Sequence, residues 1–247
     1  MVVNDSPLDD RDTGAVCLGG DKLMLSWFTI DNRQYWVKDA THRGMDLAAI
    51  TAGRGEGRNH NLAETWQKGF DRVTDESAKR WLGSWICTSD DRGDSWQAPV
   101  RVPLTAPHGP IRLRNEELLY FGKEFPVDME GYRRGIGSIL AMKSTDTGRT
   151  WEKLGTVPLH EGTEEDNYYE PHVAELPDGR LLGLIRFQMT HKGNRGDNPI
   201  EQKGLVNFSL FQSVSEDGGE TWSRAMPLGF HGSPPHLLVH SSGALIC

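Results

Sequence analysis

The fold of this chain is decided by Ser144-Thr145-Asp146-Thr147-Gly148-Arg149-Thr150-Trp151, an octapeptide whose pattern Ser-x-Asp-x-Gly-x-Ser/Thr-Trp recurs twice more. The other two copies lie at residues 89–96 and 215–222. Each copy follows a strand-like apolar stretch and precedes a polar one, which predicts a hairpin turn. Repetition of one such unit along a chain is typical of a repeat fold.

The residue types of this octapeptide suit a tight turn. Its Asp can accept N–H bonds within the turn, its Gly supplies a positive φ, and its hydroxyl residue adds a local bond. Its Trp provides a large apolar ring where neighbouring sheets meet. These residues resemble the Asp box of the sialidase (neuraminidase) superfamily. Three copies argue against an isolated calcium loop or an ordinary hairpin, and the resemblance implies an all-β, six-bladed β-propeller.

A second unit recurs between the octapeptides: an apolar strand, a turn and another apolar strand. Gly or Asn between apolar flanks is what a hairpin needs, so we predict that these units are the inner two strands of successive blades. The hairpins lie at residues 15–25, 111–120, 173–182 and 237–246. The pattern predicts one domain over residues 1–247, with blades at 12–98, 108–153 and 170–224 and an incomplete blade at 234–247.

The resemblance therefore implies that the chain covers about three and a half of six blades. The first blade carries a long insertion at residues 37–80. Apolar residues at steps of three and four predict a short amphipathic helix there, beginning after Asn61. Gly69 and Ser77 argue against its continuation to Trp81. The apolar positions are Leu62, Trp66, Phe70 and Val73.

The composition of the chain limits the classes of partner that it is expected to bind. The net charge is −8, and no cluster of Lys and Arg stands out, so a nucleic-acid partner is not expected. Neither a membrane-spanning apolar run nor a secretion signal is visible, which predicts a cytoplasmic protein without a membrane partner. Secretion is the alternative if the native N-terminus is missing from this sequence. Three cysteines match neither a disulfide framework nor a metal site, and we predict no cofactor. The oligomeric state is left open.

The segment from Glu170 to Arg186 is the most specific candidate for chemistry. An acidic residue opens a strand, a hairpin of the form apolar-Glu-Leu-x-Asp-Gly follows at residues 174–179, and an arginine closes the second strand. This order resembles a sialidase segment. The resemblance implies that Glu170 polarises a tyrosine nucleophile and that Arg186 is one of three arginines that clamp the substrate carboxylate. The planar fork of arginine suits that clamp. The alternative is a purely structural ion pair.

Two further residues are candidates through the same resemblance. Arg11 stands where sialidases carry an Arg-Ile-Pro motif with another clamp arginine, although Asp12 and Thr13 replace the Ile and Pro. Asp39 lies close to the position of the general acid in that family. A buried carboxyl with a raised pKa would suit proton donation to a leaving sugar. The alternative for Asp39 is a solvated loop residue.

Three histidines, His108, His172 and His236, each follow a proline at the start of an inner strand. Three such residues could share a metal ion. His108 is followed by Gly-Pro, whereas His172 and His236 are followed directly by apolar residues, so the three positions are not equivalent. Contacts of these histidines to a ligand or to neighbouring carbonyls are therefore favoured over a metal site. We therefore predict that His172 and His236 bind substrate and that the chain holds no metal.

The sequence thus predicts a sialidase-like exo-glycosidase that releases sialic acid or a similar acidic sugar from a glycan. The resemblance puts the tyrosine nucleophile and the third arginine in later blades, beyond Cys247, so these 247 residues alone are not expected to complete the reaction. One alternative is a non-catalytic propeller that binds glycans or proteins. Another is a glycosidase of different specificity on the same scaffold.

Overall fold

The computed structural model describes residues 3–31, 33, 68–125, 137–189 and 198–247. Strands dominate this part of the chain, and the helices in it are short. They include α1 (Asp75–Trp81), α2 (Pro199–Gln202) and a 3-10 helix (Glu165–Asn167), and residues 68–70 are also helical. Within these ranges no helix combines the length and apolar character needed to cross a membrane.

The strands form successive sheets in which spatial order follows chain order. The first sheet contains β1 (Asp9–Gly19), β2 (Lys22–Ile30), β3 (Gly83–Ser89) and β4 (Val100–Val102). The second contains β5 (Leu104–Thr105), β6 (Ile111–Arg112), β7 (Leu118–Glu124), β8 (Ile139–Ser144) and β9 (Glu152–Thr156). The third contains β10 (Tyr168–Glu175), β11 (Leu181–Phe187), β12 (Ser209–Ser215) and β13 (Met226–His231). The fourth pairs β14 (Leu238–Val239) with β15 (Leu245–Ile246).

The inner strand of the second sheet is interrupted. Strands β5 and β6 both pair antiparallel with β7, at its opposite ends. Between them, Gly109 adopts a φ of 70° directly after His108. The other sheets have a continuous inner strand, so the sequence Pro107-His108-Gly109-Pro110 accounts for the break.

The chain divides into two compact units, residues 1–11 with 29–82 and residues 12–28 with 83–247. In the first unit, α1 begins at the N-cap Thr74, whose hydroxyl accepts the N–H of Ser77 at 3.1 Å. The helix predicted over residues 62–73 lies mostly outside the described residues. Ser77 does not prevent a helix that reaches Trp81, because Thr74 provides a new start for it.

Strand β7 explains how the sheets of the second unit are held together. Its run Leu118-Leu119-Tyr120-Phe121 is buried on both faces. Leu118 and Tyr120 belong to the apolar cluster shared with the first sheet, which includes Met24. Leu119 and Phe121 belong to the cluster shared with the third sheet. A smaller cluster connects the third sheet with Leu237, at the start of the fourth. The sheets therefore stack face to face in chain order.

The three octapeptides form turns with the same hydrogen bonds. In the second copy, Asp146 accepts the N–H and the hydroxyl of Thr150 at 2.9 and 2.7 Å. The hydroxyl of Ser144 donates to Asp146 and accepts the N–H of Gly148, both at 2.8 Å. The indole N–H of Trp151 donates to the carbonyl of Gly148 at 3.0 Å. Equivalent bonds close the turns at residues 89–96 and 215–222.

Each later turn also packs on the sheet that precedes it. Gly148 has a φ of 84°, and a Cβ atom there would lie 2.6 Å from Met24 and 2.8 Å from Ile86 of the first sheet. The Trp222 ring lies 4.5 Å from the Phe121 ring of the second sheet, centroid to centroid. The turns therefore lie where neighbouring sheets meet, and Gly148 is required both for its backbone conformation and for this close approach.

The predicted fold class is confirmed as an all-β propeller of successive antiparallel sheets, with a helix in the insertion between β2 and β3 of the first sheet. Four-stranded antiparallel sheets that stack through two apolar faces are what such a propeller requires.

We expect Asp217→Ala to lower the urea midpoint of unfolding at pH 7. Hydrogen bonds from Thr221 and Ser215 lower the pKa of the Asp217 carboxyl from 3.8 to about 2. Because the folded pKa lies below the unfolded one, the stabilisation is complete above about pH 4 and is lost as the pH falls towards 2. The difference between wild type and variant should therefore shrink over this interval.

The matched control is Glu216→Ala, which removes the exposed carboxyl next to Asp217 in the same turn. We expect no change in its urea midpoint. Equal effects of the two substitutions would show that the turn does not depend on the Asp217 bonds.

Candidate functional site

Inner strands of the second unit share a backbone feature near their start. Asp12 in the first sheet, Gly109 in the second and Glu170 in the third have φ values of 51°, 70° and 43°. In β10 this residue falls within an irregularity of the register between Tyr169 and His172. A bulge of this kind turns a side chain out of the regular alternation of a strand. Glu170 is thereby directed differently from its neighbours.

The structure brings Glu170 and Arg186 together. Tyr169 lies opposite Arg186 in the pairing of β10 with β11. The Nη1 atom of Arg186 donates to Oε2 of Glu170 at 2.5 Å. The two side chains are 27% and 21% exposed, so the ion pair is shielded but still accessible from solvent. Its catalytic role stays a prediction.

Arg186 has two further neighbours that the sequence did not indicate. Its Nε atom donates to Oε1 of Gln188 at 2.9 Å, and Nη2 donates to the same oxygen. Its guanidinium carbon lies 5.9 Å from the centre of the Phe208 ring. A guanidinium has five N–H donors. Two of those on Arg186 have no acceptor among the described residues and are available to an anion.

A buried cation, Lys123, supports the start of β10. Its side chain extends from β7 of the second sheet, and its Nζ donates to the carbonyls of Glu165 and Tyr168 at 3.0 and 2.9 Å. The same nitrogen lies 4.3 Å from the centre of the Tyr169 ring. Burial lowers the pKa of the Lys123 ammonium to about 8, although the nearby Asp166 and Glu165 carboxylates raise it. Lys123 therefore fixes the backbone that leads into Glu170.

The three predicted histidines form one cluster. The ring of His172 stacks on His236 with centroids 4.5 Å apart, and His108 contacts both rings edge-on at 5.3 and 4.7 Å. Nδ1 of His172 accepts the N–H of Leu237 at 2.9 Å. Burial, reinforced by the two neighbouring histidines, lowers the pKa of His172 to about 3. Neutral His172 thus connects the third sheet to the fourth, and its contact with substrate stays a prediction.

The histidine cluster lines an open groove of about 540 Å³ between inner strands of all four sheets. Ala15, Ile111 and Leu238 are among its apolar residues, and Arg112 and Arg114 are its cations. His236 is exposed there, whereas Nε2 of His108 is buried without a hydrogen-bond partner among the described residues. In that part of the chain, no group of three His, Cys, Asp or Glu side chains has the geometry to hold a metal ion.

Arg11 and Asp39 are the remaining candidates, and Arg11 belongs to the first unit. Arg11 is 44% exposed, and its Nε atom pairs with Asp9 at 2.6 Å. Asp39 lies outside the described residues. Arg33 holds the nearly buried Asp31 through two bonds of 3.0 and 2.7 Å, so the Asp31-Asn32-Arg33 stretch contains an internal ion pair.

Comparison with curated proteins gives distant relatives. No family model matches the chain. The chain is 29% identical over 159 residues to xyloglucanase Xgh74A of Acetivibrio thermocellus, which covers 63% of this chain and 17% of that protein. It is 26% identical over 164 residues to a xyloglucanase of a Paenibacillus species, which covers 65% and 15% respectively. The chain therefore matches only a small part of the length of these relatives.

Comparison with solved structures supports the fold. A protein of unknown function from Dyadobacter fermentans DSM 18053 superimposes with a TM-score of 0.53 at 14% identity, covering 99% of this chain and 76% of that one. The Hadza microbial sialidase Hz136 gives a TM-score of 0.47 at 15% identity, covering 88% of this chain and 33% of that one. At such identities only the architecture can be compared.

We expect Lys123→Met to change how stability depends on pH. The folded pKa of about 8 lies below the ordinary value of 10.5, so the unfolded state binds more protons between these limits. The free energy of unfolding should therefore rise in wild type, relative to the variant, by roughly 1 to 3 kcal/mol between pH 8 and 10.5. Urea denaturation at several pH values measures this difference.

Lys153→Met is the control, because the Lys153 side chain is 56% exposed and its ion pair within the described residues is with Glu124. Its stability should follow the wild-type dependence on pH. Parallel profiles for wild type and Lys123→Met would show that Lys123 is not held in a desolvated position.

Proposed function

We propose that this protein is a propeller-type glycoside hydrolase in which Arg186 and Glu170 engage the acidic sugar of a glycan. The proposal rests on the hydrogen bonds and the solvent exposure of Arg186. Its guanidinium is oriented by Gln188 and Glu170, retains two N–H donors, and is only partly shielded from solvent. An arginine fixed in this way is a ready partner for a carboxylate.

The carbohydrate part of the proposal has independent support. The curated relatives are named xyloglucanases, and their similarity extends over 63% and 65% of this chain. The acidic part rests on the chemistry of the site, since a carboxylate forms stronger, charge-assisted hydrogen bonds with the remaining N–H donors of Arg186 than a neutral hydroxyl does. We therefore propose sialic acid, or a similar sugar acid, as the terminal unit.

Glu170 has a clear chemical position in this proposal. A carboxylate 2.5 Å from the guanidinium orients it before the ligand arrives. When a ligand carboxylate takes up the free donors, Glu170 stays at the rim of the site as a base. The sialidase resemblance assigns such a glutamate to the polarisation of a tyrosine nucleophile. The hydrolytic step is proposed for the whole protein, because the same resemblance puts that tyrosine in later blades.

A non-catalytic, glycan-binding propeller is the second candidate. Arg11 favours it, since this arginine pairs with Asp9 and the residues after it depart from the sialidase motif. Both candidates require the acidic sugar to bind, whereas only the first requires the glycosidic bond to break. Binding and hydrolysis must therefore be measured separately.

We expect Arg186→Lys to weaken the binding of N-acetylneuraminic acid or glucuronic acid roughly tenfold or more, because lysine cannot form the bidentate pair. Calorimetric titration measures the change. Arg180→Lys is the control, since Arg180 lies at the other end of the same strand pair and binds Asp178. A wild-type protein that binds neither acid would contradict the proposal, as would equal losses in the two variants.

We expect the whole protein to release fluorophore from a 4-methylumbelliferyl sialoside or glucuronide. Glu170→Gln should lower kcat roughly 100-fold, because a positioned base or acid contributes about that much. Glu161→Gln, which changes an exposed glutamate, should retain the activity. Binding without any release would favour the non-catalytic candidate.

A further inference from the structure

Phe208 is an exposed aromatic residue next to the arginine of the candidate site. It precedes β12 directly, and its side chain is 48% exposed. Its ring centre lies 5.9 Å from the guanidinium carbon of Arg186. An aromatic ring contributes most when its faces are buried, so folding of the described residues gains little from this one.

The backbone conformation of Phe208 is itself unfavourable. Its φ is 54°, in the left-handed region that bulky residues rarely adopt. Such a conformation costs roughly 1–3 kcal/mol and persists only when its surroundings impose it. Glycine or asparagine would occupy the position more easily. Phe208 therefore keeps a strained backbone while its ring lies beside Arg186 instead of in a core.

The surroundings of Phe208 hold it firmly. Its N–H donates to Oδ1 of Asn207, and its carbonyl accepts the N–H of Gly232, both at 3.1 Å. Asn207 is itself fixed by two bonds to the backbone of Met189, at 2.8 and 3.1 Å. The ring is thus presented from a rigid support, which lowers the entropy lost when a ligand packs on it.

We propose that Phe208 forms an apolar platform for a pyranose ring whose carboxylate pairs with Arg186. The N–H donors of Arg186 that have no acceptor among the described residues can bind a carboxylate, and the exposed Phe208 ring, centred 5.9 Å from the guanidinium carbon, can cover an apolar face beside it. A cyclic sugar acid offers both, since the C–H groups on one side of a pyranose are apolar. An open-chain acid offers only the carboxylate. The inference rests on the proposed function and narrows its substrate class to cyclic sugar acids.

The test measures the affinities of N-acetylneuraminic acid, glucuronic acid and open-chain gluconate by calorimetric titration. Phe208→Asn removes the ring and keeps a residue that tolerates the left-handed conformation. We expect it to weaken binding of the cyclic acids about fivefold or more and to leave gluconate affinity unchanged. Phe208→Tyr, which keeps the ring, should bind within about twofold of wild type.

Phe230→Ala is the matched control. Phe230 is 52% exposed in the adjoining strand β13, and in the described part of the chain the aromatic ring over which the Arg186 guanidinium lies is that of Phe208. We expect its affinities to equal those of wild type. An equal loss in Phe230→Ala and Phe208→Asn would overturn the inference, because it would reveal a general apolar effect.

The remaining outcomes separate the two proposals. If Arg186→Lys loses cyclic acids while Phe208→Asn binds them like wild type, the platform is wrong and the proposed function stands. If wild type binds none of the three acids, the proposed function itself fails. A thermal melt of Phe208→Asn at or above the wild-type temperature confirms that any loss is not caused by unfolding.

Discussion

The rest of this structure depends on the fact that its sheets are apolar on both faces. In β7, alternate residues enter two different clusters, with Tyr120 on one side and Phe121 on the other. A sheet of this kind cannot be stable alone, because each face must be removed from water by a neighbour. The second and third sheets therefore each require both of their neighbours. The octapeptide turns serve this requirement, since Trp222 and Gly148 pack on the preceding sheet.

The geometry of the candidate site is determined by the stacking of these sheets. Arg186 and Glu170 come from adjacent strands of the third sheet, and their separation is set by antiparallel register. The backbone just before Glu170 is held by Lys123, which belongs to the second sheet. The site thus depends on two sheets, and its geometry comes from the packing between them and from strands β10 and β11, which carry Glu170 and Arg186. Functional groups on a rigid scaffold are positioned better than groups on free loops.

The sequence was sufficient to predict the architecture because that information is local. An octapeptide contains all the donors and acceptors of its own turn, and its repetition predicts the blades. The proximity of Glu170 and Arg186 could also be predicted from the sequence, since the hairpin between them sets the register of their strands. The role of Lys123 could not be predicted, because the sequence around a lysine at the end of an apolar strand does not indicate which carbonyls it contacts 42 and 45 residues further along the chain. The exposure of Phe208 was not predicted for a related reason. The residue continues the apolar pattern of β12, and that pattern predicts a buried side chain.

The two left-handed residues around Arg186 suggest why this corner of the sheet is irregular. Strand β11 carries the arginine, Glu170 approaches it from β10, and Phe208 approaches it from the start of β12. In regular pairing, a strand residue and its neighbours alternate between the two faces of the sheet. A residue with positive φ on each flanking strand interrupts that alternation and lets an acid and an aromatic ring reach the same guanidinium. Two such residues cost stability that only a rigid stack can offset. Glycine in either place would relieve the strain but would remove the side chain that contacts Arg186.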